Sequence, residues 1–146
     1  MRIFSKYIWR FLSTKKEIYL TFDDGPTPEV TTFVLNELEK HNAKATFFCI
    51  GKNVHNHPKI FEKIASNGHT IGNHTQNHLN GWKTKSEDYL ENVLQAEASI
   101  QNHINSIIQP KIFRPPYGKL TKKQANKIIK KGYKIIMWDV LSGDFD

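Results

Sequence analysis

Residues 18–26 have the sequence Ile18-Tyr-Leu-Thr-Phe-Asp-Asp-Gly-Pro26. The apolar run over residues 18–22 is typical of a buried strand, and it stops at two adjacent carboxylates followed by a Gly-Pro turn signal. Successive side chains of a strand point to opposite faces, so two neighbouring aspartates inside a core strand would be costly. Where the strand ends and the backbone turns, both carboxylates can face one polar pocket. Taken alone, the stretch also fits an Asp-Gly turn with a capping carboxylate.

Predicted strands and helices alternate from residue 18 onward. This alternation predicts an α/β protein with a parallel sheet and crossover helices. The helix over residues 86–107 has the clearest pattern, because its apolar residues recur at steps of three and four. We predict strands at residues 18–22, 45–50, 69–72, 111–113 and 133–140, and helices at about 28–42, 58–66, 86–107 and 121–132.

Charged and polar side chains follow four of the predicted strands. They are Asp23 with Asp24, His74 with His78, Arg114, and Asp144. In barrels and open α/β sheets, the carboxyl ends of the strands hold such side chains around a common hollow, where active sites form. Stability alone does not account for four such clusters on one edge, so the pattern indicates a functional site.

The two histidines suggest a metal site. His74 and His78 are spaced i and i+4, so they share a helical face or converge from a loop, and both arrangements suit one metal ion. A surface histidine pair alone usually has no such role, but two aspartates on the same edge favour it. Two histidines and one aspartate leave positions open for water and substrate, and the other aspartate could act as a base. An iron oxygenase uses the same ligand set, although the spare aspartate favours a hydrolase.

Three stretches in this order resemble the first three motifs of the polysaccharide deacetylase (NodB-homology) family, carbohydrate esterase family 4. They are Thr21-Phe-Asp-Asp-Gly-Pro26, His74-Thr-Gln-Asn-His78 and Arg114-Pro-Pro-Tyr-Gly118. The stretch Trp138-Asp-Val-Leu-Ser-Gly-Asp-Phe145 is similar to the fourth motif. The resemblance covers residues 18–146 and sets residues 1–17 apart as an N-terminal segment.

The resemblance implies a distorted (β/α) barrel that removes acetyl groups from N-acetylglucosamine-containing polysaccharide, peptidoglycan or chitin-like, with a divalent metal ion. Zinc is expected, and cobalt, manganese or nickel are the alternatives. By motif position the metal ligands are Asp24, His74 and His78. Asp23 is the general base, Arg114 orients it, and the backbone N–H of Tyr117 helps to hold the oxyanion. The reaction then has an activated water and a charge sink for the tetrahedral oxygen.

The proton donor for the leaving amine has no candidate in the sequence. In the family it is a histidine of a fifth motif, with Asp144 beside it, and the sequence ends at Asp146. We therefore expect a domain that lacks its C-terminal strand or strands. The alternative function is an inactive, metal-bearing carbohydrate-binding remnant of the same fold. The glycan, and whether the acetyl group is an amide or an O-acetyl ester, stay open.

Composition and charge limit the classes of binding partner that the sequence predicts. Net charge is +7, but the lysines are dispersed over predicted helix faces and no reader motif is present, so we predict no nucleic-acid partner. Cys49 is the only cysteine, which excludes an intrachain disulfide and predicts a buried structural thiol.

No signal peptide or membrane span is visible, which leaves cytoplasmic and cell-envelope locations open. Residues 4–12, placed on a helix, would gather apolar side chains on one side and could contact a membrane surface or pack on the domain. The oligomeric state is open.

Overall fold

The computed structural model describes residues 7–104 and 110–143. Within these residues, strands and helices alternate as the sequence predicts. The strands are β1 (Tyr7–Ile8), β2 (Thr21–Asp23), β3 (Thr46–Cys49), β4 (Thr70–Asn73), β5 (Ile112–Phe113) and β6 (Lys134–Ile136). The helices are α1 (Val30–Lys40), α2 (Gly51–Asn56), α3 (Pro58–Ser66), α4 (Ser86–Gln101) and α5 (Lys122–Lys130). Two 3₁₀ turns span Gly81–Lys83 and Pro116–Gly118.

The six strands form one sheet in the order β1-β6-β5-β4-β3-β2, and every neighbouring pair is parallel. The predicted parallel sheet is therefore confirmed. Because the carboxyl ends of parallel strands share one edge, the loops after β2, β4 and β5 come together there.

The sheet is curled into a half-barrel. Arg114 directly follows β5, three positions from β2 in the strand order, which in a flat sheet corresponds to roughly 14 Å. Its guanidinium nevertheless donates hydrogen bonds of 2.8 Å to the Thr21 hydroxyl and to Asp23 Oδ1, both in β2. Only a curled sheet brings these strands within reach of one side chain.

Two apolar clusters hold the elements together. One joins helices α1–α3 to strands β3 and β4, and the other joins α4 and α5 to β5 and β6. Inside the curl, the fully buried ring of Phe48 packs against Gly72, where an added Cβ would lie 2.4 Å from the ring. The guanidinium carbon of Arg114 lies 4.2 Å from the centroid of this ring, so Phe48 forms a floor beneath the site.

The N-terminal segment differs from its predicted helix. Tyr7 and Ile8 form β1, which pairs with Ile135 and Ile136 of β6, and no helix is present between β1 and β2. The helix prediction is wrong for these residues, because sheet pairing satisfies the backbone that a helix would otherwise satisfy. The domain boundary after residue 17 and the membrane-surface contact stay predictions.

The predicted strand over residues 18–22 is also only partly correct. Strand β2 begins at Thr21, although the Leu20 carbonyl oxygen already accepts a hydrogen bond from the Thr46 N–H, and residues 18–20 are exposed, with Ile18 87% exposed. The apolar side chains at this sheet edge therefore predict a burial that the structure does not show.

Other element ends are shorter than predicted. Helix α4 ends at Gln101, whereas the predicted helix continues to residue 107. Residues 105–107 of the predicted helix lie outside the described part of the chain. Strand β6 spans three residues of the eight expected, and the short helix α2 was not predicted. A capping box opens α5, with reciprocal hydrogen bonds between Thr121 and Gln124. None of the helices in the described ranges is both long and apolar enough to cross a membrane.

Candidate metal centre and active site

Asp24, His74 and His78 meet at the carboxyl edge of the sheet. Asp24 Oδ1 lies 3.4 Å from His74 Nε2 and 3.0 Å from His78 Nε2. The three candidate ligand atoms lie within 4.8 Å of one another. This spacing suits three donors to one cation, and the structure brings together the three residues that the family resemblance implied as metal ligands.

The two histidines are held by a tight turn rather than by a helix. Asn92 Oδ1 accepts hydrogen bonds from the backbone N–H groups of Gln76 and Asn77, at 2.9 and 3.0 Å. His78 follows with a positive φ of 54°, a conformation that non-glycine residues adopt at a cost and that clusters at functional sites. The two histidines, four residues apart, therefore converge because a hydrogen-bonded turn fixes the loop between them.

Asp24 is placed by the turn after β2. Its φ is 67°, and its backbone carbonyl accepts a 2.7 Å hydrogen bond from Asn53 Nδ2 of α2. The left-handed conformation lets Asp23 and Asp24 serve one pocket although they are adjacent in sequence. Hydrogen bonds from His74 and then His78 lower the pKa of Asp24 below its usual value, so this carboxylate is ionised and ready to bind a cation.

Backbone and side-chain partners fix the imidazoles. His74 is 2% exposed, and its Nδ1 lies 2.7 Å from the backbone carbonyl oxygen of Arg114. A carbonyl only accepts, so Nδ1 donates this bond, and Nε2, the nitrogen that faces Asp24, is the atom through which His74 would bind a cation. His78 Nδ1 lies 3.1 Å from the Tyr117 hydroxyl, whose ring centroid is 4.6 Å from the imidazole centroid.

Asn73, which the sequence analysis missed, supports the same turn. This buried side chain donates to the Val93 carbonyl oxygen at 2.8 Å and accepts from the Thr75 N–H at 2.9 Å. It therefore fixes the chain on both sides of His74. The available signal was its position immediately before His74 at the end of a short apolar run.

Asp23 directly precedes Asp24 and is paired with Arg114, whose backbone carbonyl oxygen contacts His74. Their ion pair measures 2.8 Å, and the Arg114 side chain is 4% exposed. The guanidinium also donates to the Met137 carbonyl oxygen at 2.7 Å and to that of Ile136 at 3.4 Å. Burial lowers the pKa of Arg114, while Asp23 opposes that change, and an arginine stays charged at neutral pH.

Tyr117 lies on the rim of the site. Its φ of 59° turns the backbone sharply inside the 3₁₀ turn, and its side chain is 59% exposed at the edge of the hollow. Its backbone N–H donates no hydrogen bond to any other residue in the described ranges. It is therefore free to donate to a bound oxygen atom.

Two sequence-based predictions have different outcomes. Cys49 is a buried free thiol, as predicted, and burial raises its pKa, with Asp23 as a smaller cause. Asp144 lies outside the described residues, so its place at the site stays a prediction.

Comparison with known proteins shows the family. The sequence profile described as "Polysaccharide deacetylase" matches residues 13–136. A peptidoglycan-N-acetylglucosamine deacetylase of Bacillus cereus is 39% identical over 142 residues, which are 96% of this chain and 51% of that protein. A chitooligosaccharide deacetylase of Azorhizobium caulinodans is 35% identical over 94% of this chain and 65% of its own length. The chain thus spans about half to two thirds of these curated relatives.

Solved structures agree with this assignment. The crystal structure of the Bc1960 peptidoglycan N-acetylglucosamine deacetylase superposes with a TM-score of 0.87 at 36% identity, covering 92% of this chain and 62% of that one. A family 4 pseudoenzyme from Bacillus anthracis gives a TM-score of 0.81 at 26% identity, over 90% of this chain and 46% of its own. The predicted type of distorted barrel is confirmed by the first match. This chain belongs to the polysaccharide deacetylase family, carbohydrate esterase family 4.

Proposed function

We propose that this chain carries the metal centre and the catalytic base of a hydrolase that removes N-acetyl groups from N-acetylglucosamine-containing polysaccharide. The observation that carries the proposal is the Asp23–Arg114 ion pair beside the Asp24, His74 and His78 cluster. A carboxylate held next to a cation site, but bonded to an arginine, suits proton transfer rather than ligation. Relatives that are named peptidoglycan and chitooligosaccharide deacetylases support this class of substrate.

The three clustered residues fit a divalent cation. The lowered pKa of Asp24 supplies an ionised carboxylate at neutral pH, and His74 can offer Nε2 to the cation because its Nδ1 donates to a carbonyl oxygen. Nitrogen and oxygen donors in this number suit zinc at a catalytic site, and cobalt, manganese and nickel accept the same donors. We propose zinc. Bound there, the cation would supply Lewis acidity, which lowers the pKa of a water molecule and polarises the acetyl carbonyl.

Residues of the chain itself would accept the proton of the water, orient the base and stabilise the developing negative charge. Asp23 accepts the proton of the attacking water through Oδ2, since Oδ1 is engaged by Arg114. Arg114 fixes the orientation of this carboxylate through a charge-assisted hydrogen bond. The Tyr117 N–H donates to the oxygen on which negative charge develops. Cleavage of the amide C–N bond then gives acetate and a free amine, and we propose that Asp144 assists the group that protonates this amine.

The test is acetate release from N-acetylglucosamine oligomers after chelation and addition of zinc. We expect release by the wild type, loss of both zinc binding and release in His74→Ala, and loss of release with zinc binding retained in Asp23→Asn. Zinc and oligosaccharide binding without acetate release would instead support the alternative, a metal-bearing carbohydrate-binding protein. Absence of zinc binding by the wild type would refute the site assignment.

A further inference from the structure

An exposed tryptophan, four residues after the candidate ligand His78, lies on a loop with fixed geometry. Trp82 is 66% exposed, although tryptophan is among the residues that proteins bury most on average. The surrounding residues 80–84 are hydrogen-bonded to one another. Asn80 Oδ1 accepts from the Trp82 N–H at 3.0 Å, and the Thr84 hydroxyl donates to the Asn80 carbonyl oxygen at 2.8 Å.

A buried side chain anchors this loop from below. Gln124, 1% exposed, donates from Nε2 to the carbonyl oxygens of Gly81 and Thr84 at 2.8 and 3.0 Å. Gly81 packs so closely that an added Cβ would lie 2.3 Å from the Lys119 carbonyl oxygen. The fold therefore fixes the backbone that carries Trp82 at the surface, although burying the indole would give more stability.

Lys119 adds a positive charge to this surface. Its Nζ lies 5.4 Å from the centroid of the Trp82 ring, and among the described residues it forms no ion pair with a carboxylate. Lys119 is two residues after Tyr117, so their Cα atoms are at most about 8 Å apart. Because Tyr117 contacts His78, the surface of Trp82 and Lys119 is continuous with the candidate metal centre.

An exposed aromatic face beside a cation has a defined binding preference. The indole offers a flat apolar surface to the C–H face of a sugar ring, and it does so at low entropic cost because the loop is already ordered. The ammonium group favours a ligand that brings a negative charge to the same place.

We propose that Trp82 and Lys119 form a glycan-binding subsite beside the metal centre, and that this subsite favours glycans that carry carboxylate groups over neutral ones. The proposal rests on the proposed function, since it concerns the substrate of that site. Trp82 contacts a sugar ring of the bound chain, and Lys119 pairs with a carboxylate on that ring or on its neighbour.

Two tetrasaccharides of equal length test the selectivity. One alternates N-acetylglucosamine with N-acetylmuramic acid, which carries a lactyl carboxylate, and the other is chitotetraose, which is neutral. Binding is measured by isothermal titration calorimetry in low salt. We expect the wild type to bind the first about two- to fivefold more tightly, the effect of one solvent-exposed ion pair. Equal affinities for the two ligands, or no binding of either, would overturn the proposal.

Variants assign the effect to the two residues. Lys119→Met should remove the preference for the charged ligand, whereas the matched change Lys130→Met, at the far end of α5, should keep it. Trp82→Ala should lower the affinity for both tetrasaccharides by about tenfold, and Trp82→Phe should retain most of that affinity. A preference that persists in Lys119→Met would contradict the role of that residue.

Binding and acetate release separate this subsite from the proposed function. Binding that depends on Lys119 in a protein that releases no acetate would keep the subsite and refute the hydrolase. Acetate release without any preference between the two ligands would keep the hydrolase and refute the subsite.

Discussion

Replacing Arg114 by lysine keeps the positive charge and removes the planar fork. The guanidinium donates four hydrogen bonds, to Thr21 and Asp23 on one side and to the carbonyl oxygens of Ile136 and Met137 on the other. A single ammonium nitrogen cannot reach both sides of the hollow, so we expect the substituted side chain to contact only one of them. Two hydrogen bonds from a charged donor are then lost.

The expected loss of stability in Arg114→Lys follows from the two hydrogen bonds that are lost. A hydrogen bond to a charged group contributes about 1.5 kcal/mol or more, so losing two lowers the free energy of unfolding by about 3 kcal/mol. At about 4 °C per kcal/mol for a domain of this length, Tm falls by about 12 °C. Asp23 also loses its fixed orientation, so kcat for acetate release should fall more than tenfold while zinc affinity stays within a few-fold.

Urea unfolding and acetate release check both parts of this prediction. Arg10→Lys is the matched control, because Arg10 forms an exposed 3.0 Å ion pair with Asp139 and should cost less than about 0.5 kcal/mol. If Arg114→Lys were as stable as the control and kept its kcat, the four hydrogen bonds would neither stabilise the fold nor orient the base.

Three further predictions concern the metal centre, the thiol and the interior. Zinc at 100 times its Kd should stabilise the fold by about 2.7 kcal/mol, which raises Tm in thermal unfolding by about 10 °C. The substitution His78→Ala should abolish this shift in Tm, whereas Asp23→Asn should keep it. Cys49 should resist iodoacetamide at pH 8 in the folded protein and react after unfolding, as followed by mass spectrometry, because burial raises its pKa; fast reaction of the folded form would contradict its burial. Gly72→Ala should lower the free energy of unfolding by about 1–3 kcal/mol in urea, since the new Cβ would overlap the Phe48 ring, and an unchanged midpoint would show that the ring can move aside.

The candidate site was largely predictable from the sequence because polar residues interrupt apolar runs at strand ends. Asp24, His74 and His78 are far apart in the chain, yet a parallel sheet brings the ends of β2 and β4 to one edge. The pairing of Arg114 with Asp23 was expected only from the family resemblance. Their contact depends on how far the sheet curls, which alternation of strands and helices does not specify.

Local signals failed where tertiary pairing decided the outcome. Periodicity placed residues 4–12 on a helix, whereas pairing with β6 makes Tyr7 and Ile8 a strand. Residues 18–20 have the composition of a buried strand, but they lie at the open edge beside β2. The roles of Asn73 and Gln124 could not be predicted either, since a polar residue that bonds distant backbone groups has no periodic signature.

The bonds of Arg114 also have a consequence for how the protein matures. During synthesis, the three candidate metal ligands emerge before Arg114, and the carbonyl oxygens of Ile136 and Met137 emerge later still. Contacts between residues far apart in sequence close late in folding, because loop-closure entropy opposes them until the intervening elements have formed. A nascent chain should therefore acquire the capacity to hold a cation before its base is oriented. Ribosome-bound chains of increasing length would display zinc retention first and the Asp23–Arg114 pair only when β6 has joined the sheet.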